Sequence, residues 1–228
     1  MESLLGPDHN HPEAVHRLTP VLRIETLVDG VFAIAMTILV LDLVVPQVAD
    51  PAELVPRLVG MWPRFAIYAV SFVLLGAYWI AHHSQYRFIE RADRIMLLLN
   101  IVFLMLVALL PFAASLMGEY PDRQVSAVFY GVLVGLIGVV GGLHWWYVTR
   151  DRRFIVPDVD LEFVTIVRRR IALTPVLALL AIGLSFVSTY ASLAVYILLP
   201  SSYLLPNRLD RYFDQAPDGW PSFTANVL

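Results

Sequence analysis

Residues 23–43 read RIETLVDGVFAIAMTILVLDL, an apolar run that nevertheless carries Arg23 and Glu25 at its start and Asp29 further in. Whether a segment this hydrophobic can hold ionised side chains depends on the solvent around it, and composition identifies that solvent. Of the 228 residues, 58% are hydrophobic and 15% charged, and mean hydropathy is +0.69. A soluble domain has about 45–50% apolar and about 25% charged residues. Here the apolar residues also fall in long blocks instead of dispersed stripes. The chain reads as an integral membrane protein.

Working outward from that first block, five more follow, giving candidate spans Leu27–Val45, Phe65–Ala81, Ile95–Met117, Val125–Val148, Ile171–Ser188 and Ser192–Leu205. Each approaches the roughly 20 apolar residues that cross about 30 Å of hydrocarbon as a helix. Continuous apolar runs exclude a membrane β-barrel, whose strands alternate apolar and polar positions. The expected fold class is therefore all-α, with six transmembrane helices. The last two spans are joined by a turn at Thr189–Ala191 and form a hairpin; the sixth is short.

Residues 1–22 are polar, lack the apolar core of a signal peptide, and read as a flexible arm containing His9, His11 and His16. Residues 207–228 read as a tail, leaving 23–206 as the membrane domain. All 16 basic residues are arginines. With the N-terminus inside, thirteen fall on cytoplasmic segments and three (Arg57, Arg64 and Arg123) outside, the asymmetry the positive-inside rule requires. Both termini are thus expected in the cytoplasm, with the protein multi-pass in the cell (inner) membrane. The net charge of −3 gives no support to nucleic-acid binding. The absence of cysteine excludes disulfides, thiolate catalysis and Cys-ligated metals.

Arg23 and Asp29 are six positions apart, about 120° around a helix, so they cannot pair along one face. Either both lie at the headgroup layer, or each finds a partner on another helix. Ionisable residues inside a membrane are functional candidates. The second span ends YWIAHH, residues 78–83, placing Trp79 and His82 on one face at the depth of Arg23 and Asp29. His82 and the Trp79 indole N–H can both donate to a carboxylate, although an interfacial Trp/His belt has the same composition. His83 points about 100° away from His82, which makes the adjacent pair a poor metal chelator. In span four, Gly131, Gly135, Gly138 and Gly142 fall on one face suited to close helix approach. Further along the first span, Thr37 is the one polar residue before Asp42, and Ile34, Ile38 and Leu41 form a stripe. By pattern alone that stripe is packing, lipid-facing surface or a pore lining.

On these residues the chain resembles the potassium-channel family of transmembrane protein 175. The family signature, R-x-x-x-F-S-D followed by a threonine-containing apolar helix, is met here by Arg23 and Asp29, with Leu27 and Val28 in place of Phe and Ser. YWIAHH, LNIVFLMLVALLPF (residues 99–112) and YILLPSSYLLP (196–206) are similar as well, so the likeness covers most of 20–206. It implies a six-helix subunit, a homotetramer in the bilayer, and a central pathway for monovalent cations lined by the first helix. No carbonyl-loop filter is implied. Carried over by position, Ile34, Ile38 and Leu41 are the apolar pore layers, with Ile34 narrowest, and Thr37 is the threonine linked to cation preference. Arg23, Asp29, Trp79 and His82 become a polar network that holds the pore helix. Val28 lacks the hydroxyl of Ser, a loss of about 1 kcal/mol if that group bonds within the network.

The expected function is accordingly a potassium-permeable channel that is not an enzyme, with K⁺ as the permeant ion and no cofactor or metal. The competing reading is a proton-coupled secondary transporter, or a proton leak, using Asp29 and His82. It lacks the internal repeats and broken helices that transporters usually carry.

Overall fold

In the computed structural model, residues 20–156, 159 and 161–204 are described. The proposed N-terminal arm up to residue 19, Leu205, and the tail 207–228 with Arg208 and Arg211 lie outside the described residues. The described chain is helical. It comprises α1 (Pro20–Ile38, continued by a 3₁₀ turn Leu39–Asp42), α2 (Leu54–Gly60), α3 (Trp62–Tyr86), α4 (Arg94–Glu119), α5 (Gln124–Thr149), α6 (Leu161–Ser185) and α7 (Thr189–Leu204).

Local chemistry sets the ends of these helices. Pro20 and Pro63 stand in first turns, where the missing N–H costs nothing. Asp93 caps α4 by accepting the Met96 backbone N–H at 2.8 Å. Four stretches, Val21–Asp42, Trp62–Tyr86, Arg94–Glu119 and Gln124–Arg152, are long and apolar enough to cross a membrane, and Thr189–Pro200 is a shorter apolar helix.

Three expected boundaries shift. The first helix starts before Leu27 and gives way to 3₁₀ geometry after Ile38. The fifth begins at Leu161, ten positions before the apolar run, because Arg168–Arg170 continue the same helix. Hydropathy marks where oil begins; the hydrogen-bonded helix runs past that point. The closing turn lies at 186–188, and Thr189 is already helical.

Packing follows the small residues. The glycine face of α5 meets α6. A Cβ at Gly131 would sit 2.6 Å from Ile182 Cγ1 and collide with the Tyr196 hydroxyl, and one at Gly138 would sit 2.8 Å from Pro175 Cδ. Only bare backbone allows that approach. Helix α1 packs by a single stripe, Val21, Ile24, Val28, Phe32, Ala35 and Leu39, all buried against α3 and α4. The loop after α3 is tied to the loop after α5. There the Glu90 N–H donates to Phe154 O at 2.9 Å and the Val156 N–H to Phe88 O at 3.0 Å.

Candidate ion pathway and the contacts that hold α1

The buried stripe of α1 has spacings of three and four, so the opposite face is left open. Ile34 is 61% exposed on the single chain, Ile38 43% and Leu41 71%. Thr37 lies on the same side, and its hydroxyl donates to the carbonyls of Ala33 and Ile34, each at 2.9 Å. With its proton committed to backbone, the Thr37 oxygen presents only lone pairs outward, which suits a cation better than an anion. The four predicted residues thus share one exposed face that no other helix covers among the described residues. In a soluble protein such a face would be a liability; in a membrane protein it faces lipid, another subunit or a pore.

Near the start of α1, two acid–aromatic pairs connect it to α3. The Trp79 indole N–H donates to Asp29 Oδ1 at 2.7 Å. One turn toward the N-terminus of α1, Glu25 Oε1 lies 3.9 Å from His83 Nδ1. The Trp79 and His83 rings stack at 5.8 Å and 22°. Glu25 and Asp29 are spaced i,i+4 on α1, and Trp79 and His83 are spaced i,i+4 on α3, so the pairs repeat at one-turn intervals. Sequence reading linked Asp29 to Trp79 correctly but left Glu25 and His83 unpartnered. The matched spacing was the available signal.

His82 does not join that set. It is buried and turned the other way, with Nε2 3.0 Å from Asn100 Oδ1 on α4. Since Asn100 Oδ1 can only accept, Nε2 carries the proton. The His82 ring stacks on Tyr86 at 4.3 Å and on Phe103 at 5.5 Å, and the Tyr86 hydroxyl lies 3.2 Å from His144 Nε2 on α5. A cavity of about 40 Å³ adjoins these groups between α3, α4, α5 and α6, lined also by Gln85, Gly138 and Gly141. That volume exceeds the ~10–15 Å³ one water requires. His82 therefore ties α3 to α4 and α5 rather than to α1, a correction to the expected Asp29–His82 contact. The physical reason is the 100° step per residue: His82 and His83 serve opposite neighbours, and the buried direction belongs to His82. Asn100, the one amide in the apolar α4, was the sequence clue to this second cluster.

Arg23 is exposed and has no ion-pair partner among the described residues. Val28 is 2% exposed and belongs to the packing stripe. The site of the missing hydroxyl is thus filled by apolar contact with the bundle. Among the described residues no group of three or more His, Asp or Glu could hold a metal ion. At the N-terminus of α4, Asp93 also accepts from the Tyr147 hydroxyl at 2.5 Å. Partial burial opposes its negative charge, but the Met96 N–H, the Tyr147 hydroxyl and nearby Arg153 outweigh this. They hold its carboxyl below the usual aspartate range.

Comparison with known proteins bears on what this geometry does. Residues 23–111 match the family described as "Endosomal/lysosomal potassium channel TMEM175". A protein of Streptomyces collinus (strain DSM 40733 / Tue 365) named as a potassium channel is 37% identical over 185 residues, covering 79% of this chain and 90% of that one. Another named potassium channel, from Chamaesiphon minutus, is 32% identical over 188 residues, covering 80% and 93%. The crystal structure titled as a lysosomal potassium-selective channel TMEM175 homolog from Chamaesiphon minutus superposes with a TM-score of 0.73 at 31% identity, covering 81% of this chain and 96% of that one.

Proposed function

The chain belongs to the TMEM175 family of ion channels, and from that premise we propose that it is a potassium-permeable cation channel built from four copies of itself in the cell membrane. Each subunit contributes six spans, α1 and α3 to α7, with α2 on the outer side and both termini in the cytoplasm. The arm ends at residue 19, since residues 20–22 of the expected arm are the first turn of α1; 20–206 make up the channel domain and 207–228 the C-terminal tail. The observation that carries the reading is the division of α1 into two faces. One is sealed against α3 and α4; the other offers Ile34, Thr37, Ile38 and Leu41, which no other described residue covers.

One α1 cannot enclose a pathway; four arranged about an axis can. Their Ile34 side chains would then form an apolar ring that stops flow when it dewets. An ion crossing it must loosen its hydration shell without carbonyls to replace the water. K⁺ holds water less tightly than Na⁺, so a modest K⁺ preference follows, weaker than that of a carbonyl filter. Thr37 oxygens, one turn away, supply acceptors for the partly dehydrated ion. The pairs Asp29–Trp79 and Glu25–His83 would fix the position of α1 against α3, with Arg23 at the mouth and His82 bracing α3 from behind. The alternative relay from Asp29 to His82 has little geometric support, since the two side chains are directed to different neighbours.

Purified protein in liposomes, under K⁺ or Na⁺ gradients with a protonophore control, tests the reading. Uncoupled K⁺ flux exceeding Na⁺ flux is expected; flux that requires a proton gradient would replace the channel with a carrier. Native mass measurement in detergent should give four copies, and monomers alone would remove the central pathway.

A further inference from the structure

We propose that the cavity between α3, α4, α5 and α6 is a water site, holding about three ordered waters that join Gln85 to the His82–Asn100 and Tyr86–His144 pairs. Gln85 stands three positions after His82, so both side chains fall on one inward face of α3. It is 7% exposed and lines the cavity, yet its amide has no hydrogen-bond partner among the described residues. An amide offers two donors and an acceptor oxygen, and burying them unpaired is unfavourable. The neighbouring pairs leave further capacity unused. The His82 Nε2–H donates to Asn100 Oδ1 at 3.0 Å. That leaves His82 Nδ1 as an acceptor and the Asn100 amide hydrogens as donors. The Tyr86 hydroxyl lies 3.2 Å from His144 Nε2, and the other ring nitrogen of His144 has no partner among the described residues.

The helix arrangement makes the space, and its lining selects the occupant. Helix α6 packs on α5 and α7, while α3 packs on α1, α4 and α7. Between α3 and α6, the α5 wall carries Gly138 and Gly141, which put no side chain into the gap, and Ile171 of α6 closes the far side. The volume of about 40 Å³ has room for about three waters and is too small for a lipid chain or a hydrated ion. Its lining carries no carboxylate or arginine to balance a charged guest. An apolar guest would leave the amides and imidazoles unpaired. Water both donates and accepts, and a buried water makes about three hydrogen bonds, which matches this mixed set. Bridged in this way, α3, α4 and α5 share one hydrogen-bonded core behind the face of α3 that holds α1.

The inference does not depend on conduction, and hydroxyl-radical labelling of the purified full chain in isotopically labelled water tests it. In frozen solution, radicals from bulk solvent do not diffuse, so only side chains beside a bound water take up label. Phe103 and Tyr78, which line the cavity, should be labelled in both liquid and frozen samples. Tyr130 and Phe163, also buried but outside that lining, should stay unlabelled when frozen. A Cβ at Gly141 would meet Phe103 Cε2 at an ordinary 3.6 Å. Gly141→Ala should therefore displace one water and lower the Phe103 label by about a third. Gln85→Leu keeps the bulk but removes the amide, and should lower the label about threefold or more. Labelling of Phe103 and Tyr78 no stronger than that of Tyr130 would mean a dry cavity and overturn the proposal. Label that vanishes on freezing would assign it to transient opening and overturn it as well. So would full label in both variants. If Gln85→Leu is not monodisperse in detergent, the parent and Gly141→Ala measurements decide by themselves.

Discussion

Helices α1 and α5 are both apolar and both long enough to cross a bilayer, yet the bundle treats them differently. In the spanning window of α5, 44% of positions are buried; in α1 only 28% are. Helix α5 is held by backbone contact along its glycines. Helix α1 is held by one stripe of side chains and two acid–aromatic pairs. The difference separates a helix used as scaffold from one that keeps a face free. A helix whose glycines touch its neighbour has no room to change, because interiors are packed like crystals. A helix that keeps one face free can serve whatever lies beyond the subunit.

The largest effect should come from breaking the scaffold. Gly131→Leu forces a side chain into Ile182 and Tyr196, and a cost at or above the top of the about 1–3 kcal/mol range for overpacking is expected. It should appear as a lower Tm and loss of the monodisperse species in detergent. Gly135→Ala, whose Cβ would meet Ala178 at an ordinary 3.5 Å, should be nearly silent and so sharpen the contrast.

On α1 the effect should fall on conduction and spare the fold. Ile34→Ala widens the proposed ring, and Ile34→Asn wets it at similar bulk. Both should raise conductance and lower K⁺ preference, seen as a shifted reversal potential, with stability within about 0.5 kcal/mol of the parent because the side chain is exposed. Unchanged currents in both folded variants would take Ile34 off the pathway.

A smaller effect distinguishes the two faces of α3. A double-mutant cycle between Asp29→Asn and Trp79→Phe should show coupling on the order of 1–2 kcal/mol, for a hydrogen bond to a charged group. The cycle between Asp29→Asn and His82→Ala should be additive within about 0.5 kcal/mol. His82→Ala with Asn100→Ala should couple. Strong Asp29–His82 coupling would merge clusters that the bundle keeps apart.

The smallest effect concerns Asp93, at the N-terminus of α4. Its folded carboxyl titrates below its unfolded value, so its contribution is fully present above the ordinary aspartate range and is lost as pH falls through the depressed folded value. The variant Asp93→Asn should flatten that part of the acid limb in a Tm-against-pH series, and Tyr147→Phe should flatten it partly. Neither should alter stability differences across the near-neutral range.

Much of this was legible before any coordinates. The glycine face of span four predicted the tight seam, and Ile34, Ile38 and Leu41 were correctly placed together. The Asp29–Trp79 pair was also within reach, because one residue lies near the start of α1 and the other near the end of α3, at matching depth. His82 was not. Its distance from Trp79 along α3 placed both on one broad face, yet the bundle divides that face between α1 and α4. Periodicity gives direction around a helix axis but does not say which neighbour stands there. Val28 shows the same gap. Compared with a serine it looks like a lost hydrogen bond; in the bundle it is a buried contact among Ile24, Phe32 and Ala35.

What the sequence determined by itself is whatever depends on local composition and period: oil as solvent, helices as the only open-ended way to satisfy backbone there, their approximate spans, the small-residue seam and the family. What only the tertiary structure decided is the pairing of the polar groups. Glu25 goes to His83 and His82 to Asn100, and α6 starts ten residues before its apolar run. Each partner lies on another helix, 18 residues away in the case of Asn100. A polar side chain takes whichever partner the packed backbones bring within reach, 3.0 Å for His82 and 3.9 Å for Glu25, and that distance is set by helix packing as a whole rather than by any stretch of sequence.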